Sequence, residues 1–499
     1  MNQPPIAVAA SPSELIARLE QMPFSSWHRK ARIVMGSATF FDAYNALSLA
    51  YALPILIRLW HITPAQTGLL LGAGYVGQLA GALLFGWLAE KYGRVYSAAG
   101  AVAIMSVMNL VCALAGTFDA LLVCRIVQGI GVGGEMPVAA TYINELSRAH
   151  GRGRFFMLYE MIFPLGLMAT GQIGAWLVPI FGWKIMFLAG GIPGLLITGL
   201  VARLPESPRW LVSQGRLQDA EQIIKSAKGA ARTAKRIRNW LAPHSVLREF
   251  FKSAERAART ANDAGIQPAP RPGGHLPVQP ELEPQPMAAR PAQSRAPGRF
   301  ELLSGVYRSR TTVVWALWAC AYFVSNGLNN WMPTLYNTVY RLPLQQSLRA
   351  ASMTNVAQVA LLLMCALVID RTGRRNWIVA AFLATAVLLA VLGFAAAQNV
   401  LGVMILATVS YGAVGSANAV LYLYTPEIYP TRMRAIGTGF ATSWLRLTSA
   451  IAPPLVGWML GIEGVGSVFI TFAAVSLAGA AVARQMIETR GRKLEEIAA

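Results

Sequence analysis

The chain alternates long apolar runs with short polar separators. The first six runs lie at about 33–57, 67–89, 95–116, 119–143, 154–179 and 183–203. Six more follow a polar, basic stretch, at about 312–335, 349–369, 376–396, 400–425, 435–460 and 463–485. Each run reaches the ~20 residues that a helix needs to cross a bilayer. The pattern predicts an all-α membrane protein with 12 transmembrane helices.

Two stretches of the sequence occur twice. The run GWLAEKYGR, from Gly86 to Arg94, is echoed by ALVIDRTGR, from Ala366 to Arg374. At nearly the same spacing, a second echo matches Tyr142, Glu145 and Arg152 with Tyr424, Glu427 and Arg434. Two independent echoes at nearly one spacing indicate a duplicated chain. We therefore predict two pseudo-symmetric six-helix bundles.

Polar segments divide the chain further. We expect these parts: a cytoplasmic N-terminal segment 1–31, an N-terminal bundle 32–203, a basic cytoplasmic insert 204–310, a C-terminal bundle 311–486 and a cytoplasmic tail 487–499. Apolar spacing predicts short helices at 12–21, 217–226 and 246–258. Residues 262–298 are rich in proline without apolar periodicity, which predicts a flexible linker.

Composition agrees with a membrane protein, because 55% of the residues are hydrophobic and only 13% are charged. The net charge of +20 would suggest nucleic acid in a soluble protein. Here Lys and Arg concentrate in loops at one side of the predicted spans, as cytoplasmic loops do. We expect both termini in the cytoplasm, a bacterial inner (plasma) membrane location and no nucleic-acid partner. No nucleophile, metal cluster or phosphate loop stands out, so we expect no enzyme activity, cofactor or metal.

Four motifs lie in order at the span boundaries: the doubled GxxxD/E(R/K)xGR signature, RIVQGIGVGG (Arg125–Gly134), PESPRWL (Pro205–Leu211) and YTPEIYPTRMRAIGTG (Tyr424–Gly439). Together they resemble the motifs of the major facilitator superfamily. They resemble the branch that holds sugar porters, organic-ion transporters and metabolite:proton symporters. The resemblance implies alternating access and a cytoplasmic gating network, which would comprise Gly86, Glu90, Arg94, Glu145, Arg152, Asp370, Arg374, Glu427 and Arg434.

Ionisable residues inside the bilayer are costly and indicate function. They are Asp42, Arg125, Glu135, Glu160 and Arg446. Proton-coupled sugar porters pair an Asp of span 1 with an Arg of span 4, and Arg125 matches that Arg. Alignment on the family pattern places Asn45 at the Asp position, with Asp42 one turn earlier. The proton-coupling candidates are therefore Asp42 with Arg125, and as rivals Glu135 and Glu160.

Arg446 is the main indication of substrate class. Its guanidinium can bind a carboxylate in a two-pronged fork, and the resemblance to organic-ion transporters associates an Arg of span 11 with anions. The cavity around it is expected to include Asn45, Tyr322, Asn326, Asn329, Asn330, Trp331, Gln358, Tyr411 and Trp444.

These residues predict a proton-coupled transporter for uptake of a small aromatic or heteroaromatic organic acid anion. We expect it to act as a monomer, with protons and a small molecule as its partners in the bilayer. The alternatives are a sugar or polyol porter, a drug/proton antiporter and a transporter-like nutrient sensor that signals through its insert.

Overall fold

The computed structural model describes residues 11–22, 26–146, 161–227, 301–394, 400–430 and 433–490. Within these ranges, 12 helices are long and apolar enough to cross a membrane. They are α1 (Ser26–Trp60), α2 (Pro64–Tyr92), α3 (Arg94–Leu114), α4 (Phe118–Leu146), α5 (Ile162–Phe181), α6 (Lys184–Val201), α7 (Gly305–Thr338), α8 (Leu344–Thr372), α9 (Arg374–Phe394), α10 (Val400–Glu427), α11 (Arg434–Ile462) and α12 (Val465–Ala483).

The predicted all-α fold with two pseudo-symmetric bundles is confirmed. In the N-terminal half, α2 and α3 pack on α4, and α6 packs on α1 and α3. In the C-terminal half, α8 and α9 pack on α10, and α12 packs on α7 and α9. Each of these contacts in one half therefore has its counterpart in the other, as the sequence duplication predicts.

Three helix pairs, α2–α11, α5–α8 and α1–α7, join the two halves. The contact is tightest near the start of α2, where a Cβ on Gly68 would lie 2.7 Å from the Cα of Pro454. At the opposite ends of the same helices, Gly86 and Gly439 have no neighbour within 4 Å. We call the Gly68 side the closed end, and the side with the turns at Gly93 and Gly373 the basic end.

A small apolar cluster lies at the basic end of the N-terminal half. The chain forms a short helix, Pro12–Glu20, close to the predicted bounds, and another at Pro208–Ser213; residues 217–227 are also helical. Their buried side chains form one cluster, which contains Leu15, Leu19, Met22, Trp210, Leu211, Ala220, Ile224 and Ala227. The Trp210 indole N–H donates to the carbonyl of Glu90 (3.0 Å), which ties this cluster to the end of α2.

Two helices begin earlier than the apolar runs suggest. α1 begins at Ser26 and α7 at Gly305, about two turns before the corresponding apolar runs. The polar first turns extend beyond the apolar run because a helix satisfies its own backbone hydrogen bonds. The predicted helix 246–258, the linker 262–298 and the start of the fifth predicted span lie outside the described residues.

Candidate functional site

A charge cluster lies between the halves, near the middle of three of the long helices. Asp42 of α1 interacts electrostatically with Arg446 of α11 and with Glu135 of α4. These side chains are buried, with 3%, 9% and 0% of their surface exposed respectively. The Thr39 hydroxyl donates to Glu135 (2.9 Å), and one Arg446 nitrogen donates weakly to the Thr442 carbonyl (3.4 Å). We call Asp42, Glu135 and Arg446 the central charge cluster.

Arg125 belongs to a separate chain of buried polar groups. Its guanidinium donates to the Gln128 side-chain oxygen and to the Asn45 carbonyl (3.4 Å). Gln128 then donates to Asn109, and Asn109 donates to the side chain of Asn45 (2.6 Å). Gly74 leaves room for the guanidinium, since a Cβ there would lie 3.0 Å from an Arg125 nitrogen. The structure therefore places Asn45, not Asp42, beside Arg125.

Two of the predicted amide side chains of α7, Asn326 and Asn330, form hydrogen bonds with residues of neighbouring helices, including one from the other half. The Tyr75 hydroxyl of α2 donates to Asn326 (3.3 Å) and accepts from Asn330 (3.0 Å). The Asn326 amide also donates to the Ser449 hydroxyl of α11. In this conformation these amides hold α2, α7 and α11 together.

Other predicted lining residues form two groups in the C-terminal half. The Tyr411 hydroxyl donates to Gln358 (3.1 Å) and also hydrogen-bonds to Asn329. Trp444 packs on Trp315 with ring centroids 5.8 Å apart. Trp331 is nearly fully buried, in accord with a packing role.

The basic end of the N-terminal half is held by an ionic network. Arg94 pairs with Glu90 and with Glu145, at 3.0 Å in each case. Glu206, which follows α6, accepts from the Arg94 backbone N–H (3.0 Å), and it packs against Gly93. Burial raises the pKa of the Glu206 carboxyl, while hydrogen bonds from backbone N–H groups act in the opposite direction.

The C-terminal half repeats this network. Arg374 pairs with Glu427 (3.5 Å), and Thr489 donates to the same carboxylate (2.6 Å). Glu488 accepts from the Arg374 backbone N–H (3.0 Å) and packs against Gly373, as Glu206 does against Gly93. The described ion pairs of both networks lie within their own half.

For four predicted site residues, the side chain lies outside the part of the chain that the structure describes. Arg152 and Glu160 are not among the described residues, and the side chains of Asp370 and Arg434 are likewise outside the description. Gly86, which was expected to allow close approach, has open space around it in this conformation.

Sequence reasoning missed several residues of these networks. They are Thr39, Tyr75, Asn109, Gln128, Glu206 and Glu488. Helical spacing contains a signal for one of them, because Gln128 follows Arg125 by one turn. Glu206 lies within the PESPRWL motif, but the motif alone does not indicate that its carboxylate binds the start of α3.

The duplicated fold and its buried central charges define a membrane transporter of the major facilitator superfamily. The chain belongs to the sugar (and other) transporter family, whose model matches residues 6–262 and 284–499. It is a multi-pass membrane protein and not an enzyme.

Several related transporters align with nearly the whole chain. A niacin transporter of Acinetobacter baylyi is 29% identical over 97% of this chain and 99% of its own length. A 4-hydroxybenzoate transporter of Pseudomonas putida is 26% identical over 96% of this chain and 92% of its own length. The fold matches a partially occluded, inward-open structure of the Escherichia coli xylose transporter with a TM-score of 0.68, at 17% identity over 94% of this chain and all of the other.

Proposed function

We propose that the protein imports a small aromatic or heteroaromatic carboxylate together with protons. The observation that carries this proposal is the buried Arg446, which lies between the halves near Asp42, itself near Glu135. The names of two relatives support the substrate class, because niacin and 4-hydroxybenzoate are both ring carboxylates.

Arg446 is suited to an anion. A guanidinium stays charged at all physiological pH values and matches the two oxygens of a carboxylate. Its described hydrogen bond, to the Thr442 carbonyl of its own helix, is long at 3.4 Å and leaves other donors for a ligand. A substrate carboxylate would satisfy those donors and balance the buried charge.

Proton coupling follows if Asp42 and the substrate compete for Arg446. Two carboxylates beside one guanidinium repel each other, so one of them tends to take up a proton. One oxygen of Asp42 is buried without a hydrogen-bond partner among the described residues, which leaves it available to carry a proton. Glu135, close to Asp42, is the second carrier that we consider; Glu160 stays a prediction from the sequence.

The two ends of the molecule support alternating access. By the distribution of Lys and Arg, the basic end faces the cytoplasm, so the present conformation is inward-facing. We propose that the charged residues of the basic end exchange ion-pair partners across the two halves when this end closes. These residues are Glu90, Arg94, Glu145, Arg374 and Glu427, together with Arg152, Asp370 and Arg434. Gly86 would then make its close contact.

The test is uptake of labelled benzoate and nicotinate by proteoliposomes. With an inward proton gradient, we expect accumulation that xylose does not inhibit, and Arg446→Gln should abolish it. Arg216→Gln is the matched control, because Arg216 pairs with Asp219 on the surface, away from the membrane helices. Xylose uptake without acid uptake would favour the sugar-porter alternative, and acid uptake that ignores the gradient would contradict coupling.

A further inference from the structure

Three aromatic rings pack together beside Arg446. Trp318 of α7 is fully buried and stacks on Tyr322, one turn further along the helix, with centroids 5.5 Å apart and ring planes 6° apart. The ring of Tyr422 from α10 meets Trp318 edge-on, at 4.6 Å and 84°. We call Trp318, Tyr322 and Tyr422 the three-ring cluster.

A hydrogen bond to α10 fixes the orientation of the Trp318 ring. Its indole N–H donates to the Thr425 hydroxyl (2.9 Å), and that hydroxyl donates to the Leu421 carbonyl of α10 (2.7 Å). A buried indole with its N–H satisfied has little freedom to turn. Trp318 therefore positions the two tyrosines but has no exposed surface for a ligand.

The two tyrosines, in contrast, are half-buried and lie near a cation. Tyr322 and Tyr422 keep part of their surface exposed. Arg446 interacts electrostatically with both of their hydroxyl groups. An aromatic surface next to a guanidinium matches a ligand that has a flat ring and one carboxylate.

We propose that Tyr322 and Tyr422 determine specificity for aromatic rings, and that Trp318 is the positioning residue that holds them. The inference rests on the proposed function, since it assumes that the carboxylate binds Arg446. It adds the residues that select the ring attached to that carboxylate, and it predicts that saturated ring acids bind more weakly.

Benzoate and cyclohexanecarboxylate form a matched pair of probes. They share a six-membered ring and a carboxylate, but only benzoate has an aromatic face. A ring–ring contact favours the aromatic ligand by about 2-fold to 12-fold. We expect the purified full-length protein to prefer benzoate by a ratio in this range in equilibrium binding at neutral pH, where both acids are ionised.

Substitutions in the cluster should change that ratio. Tyr322→Leu and Tyr422→Leu should each reduce the preference for benzoate, and Tyr322→Phe and Tyr422→Phe should largely retain it. Trp318→Leu should reduce the ratio and Trp318→Phe should restore most of it. Phe323→Leu is the control, because Phe323 packs on Phe472 of α12, at 5.8 Å, instead of on the cluster.

The outcomes separate this inference from the proposed function. Equal binding of both acids by the unaltered protein, or an unchanged ratio in both tyrosine-to-leucine variants, would overturn ring selection while leaving acid transport intact. Binding of neither acid would instead overturn the proposed function. Thermal melting of each variant identifies any that has simply failed to fold.

Discussion

Arg125 and Arg446 are both buried guanidinium groups, but their neighbours differ. Arg125 is bound by amide and carbonyl oxygens of Gln128 and Asn45, which do not titrate. Arg446 lies opposite Asp42, which does titrate. A change of protonation can therefore alter the surroundings of Arg446 more directly than those of Arg125. For this reason we expect the proton-dependent step at the boundary of α1 and α11.

Asp42→Asn tests this expectation. The amide keeps the shape of the side chain but cannot be a counter-ion, so substrate can bind Arg446 without uptake of a proton at Asp42. We expect the variant still to exchange labelled for unlabelled benzoate across the proteoliposome membrane. We expect it to lose the accumulation of benzoate that a proton gradient drives. Asp119→Asn, at the exposed start of α4, is the control. Gradient-driven accumulation in the Asp42→Asn variant would contradict the role of Asp42.

Glu206 predicts a pH dependence of stability. Its folded-state pKa is raised by burial, so its contribution is fully present below the unfolded pKa and is lost as pH rises through the folded pKa. Glu206→Gln should remove this part of the decline in melting temperature between mildly acidic and neutral pH.

Glu221 is a control of opposite sign. Its pKa is lowered by a hydrogen bond with Lys225, so its contribution grows as pH rises through the folded pKa. Glu221→Gln should therefore change the slope in the other direction. A slope that is the same in the wild type and in Glu206→Gln would show that Glu206 does not titrate as expected.

At the scale of elements, the repeated motif forms the same turn twice. Gly93 joins α2 to α3 with φ 109° and ψ 161°, and Gly373 joins α8 to α9 with φ 86° and ψ 159°. This region of backbone conformation is essentially restricted to glycine. In each turn a carboxylate, Glu206 or Glu488, binds the N–H groups that begin the next helix, where the helix dipole favours negative charge.

Gly93→Ala should destabilise the protein in two ways. The backbone strain is worth roughly 1 to 3 kcal/mol, and the new methyl group would also displace Glu206. Gly182→Ala is the matched control, since Gly182 has a similar backbone conformation but no neighbour within 4 Å. In thermal melting we expect a larger loss for Gly93→Ala. Equal losses would mean that the contact with Glu206 adds nothing.

For the whole molecule, the contacts between the halves define one conformation, closed at one end and apart at the other. Gly68 and Gly72 of α2 lie against the backbone of Pro453 and Ala450. Small residues allow such close packing of helices. Opening the closed end must separate these surfaces, and closing the basic end must bring new surfaces together.

Bulky substitutions at the two ends of α2 should shift this balance in opposite directions. Gly68→Trp cannot fit the present packing, so we expect the closed end to open. Gly86→Trp fits the present open space and should obstruct closure of the basic end. Both variants should lose transport. Spin labels on His61 and Ile462 would report a longer distance in Gly68→Trp and not in Gly86→Trp.

Gly199→Trp is the control for the whole-molecule prediction. Gly199 of α6 has no neighbour within 4 Å, so a large side chain there should leave both the distance and the transport rate unchanged. An unaltered distance distribution in Gly68→Trp would contradict the assignment of the Gly68 side as the closed end in solution.

The spans, their duplication and the charged turns could be predicted from sequence, because these depend on local features. A membrane helix satisfies its own hydrogen bonds and needs only an apolar run of sufficient length. The repeated motif predicts a repeated turn, since it brings the same glycine to the same place. The starts of α1 and α7 were less predictable, because polar first turns carry no apolar signal.

Which buried charges meet was decided by the tertiary structure. The resemblance to proton-coupled sugar porters made Asp42 a candidate partner of Arg125, although alignment on the family pattern placed Asn45 at that position. The packing of α1 puts the Asn45 carbonyl beside Arg125 and brings Asp42 near Arg446. One helical turn separates Asp42 from Asn45, and the partners come from helices far away in the chain. The sequence by itself therefore determined twelve helices in two halves and a set of buried charges. The packing of distant helices decided their pairing, because the rotation and depth of each helix depend on contacts that no local pattern contains.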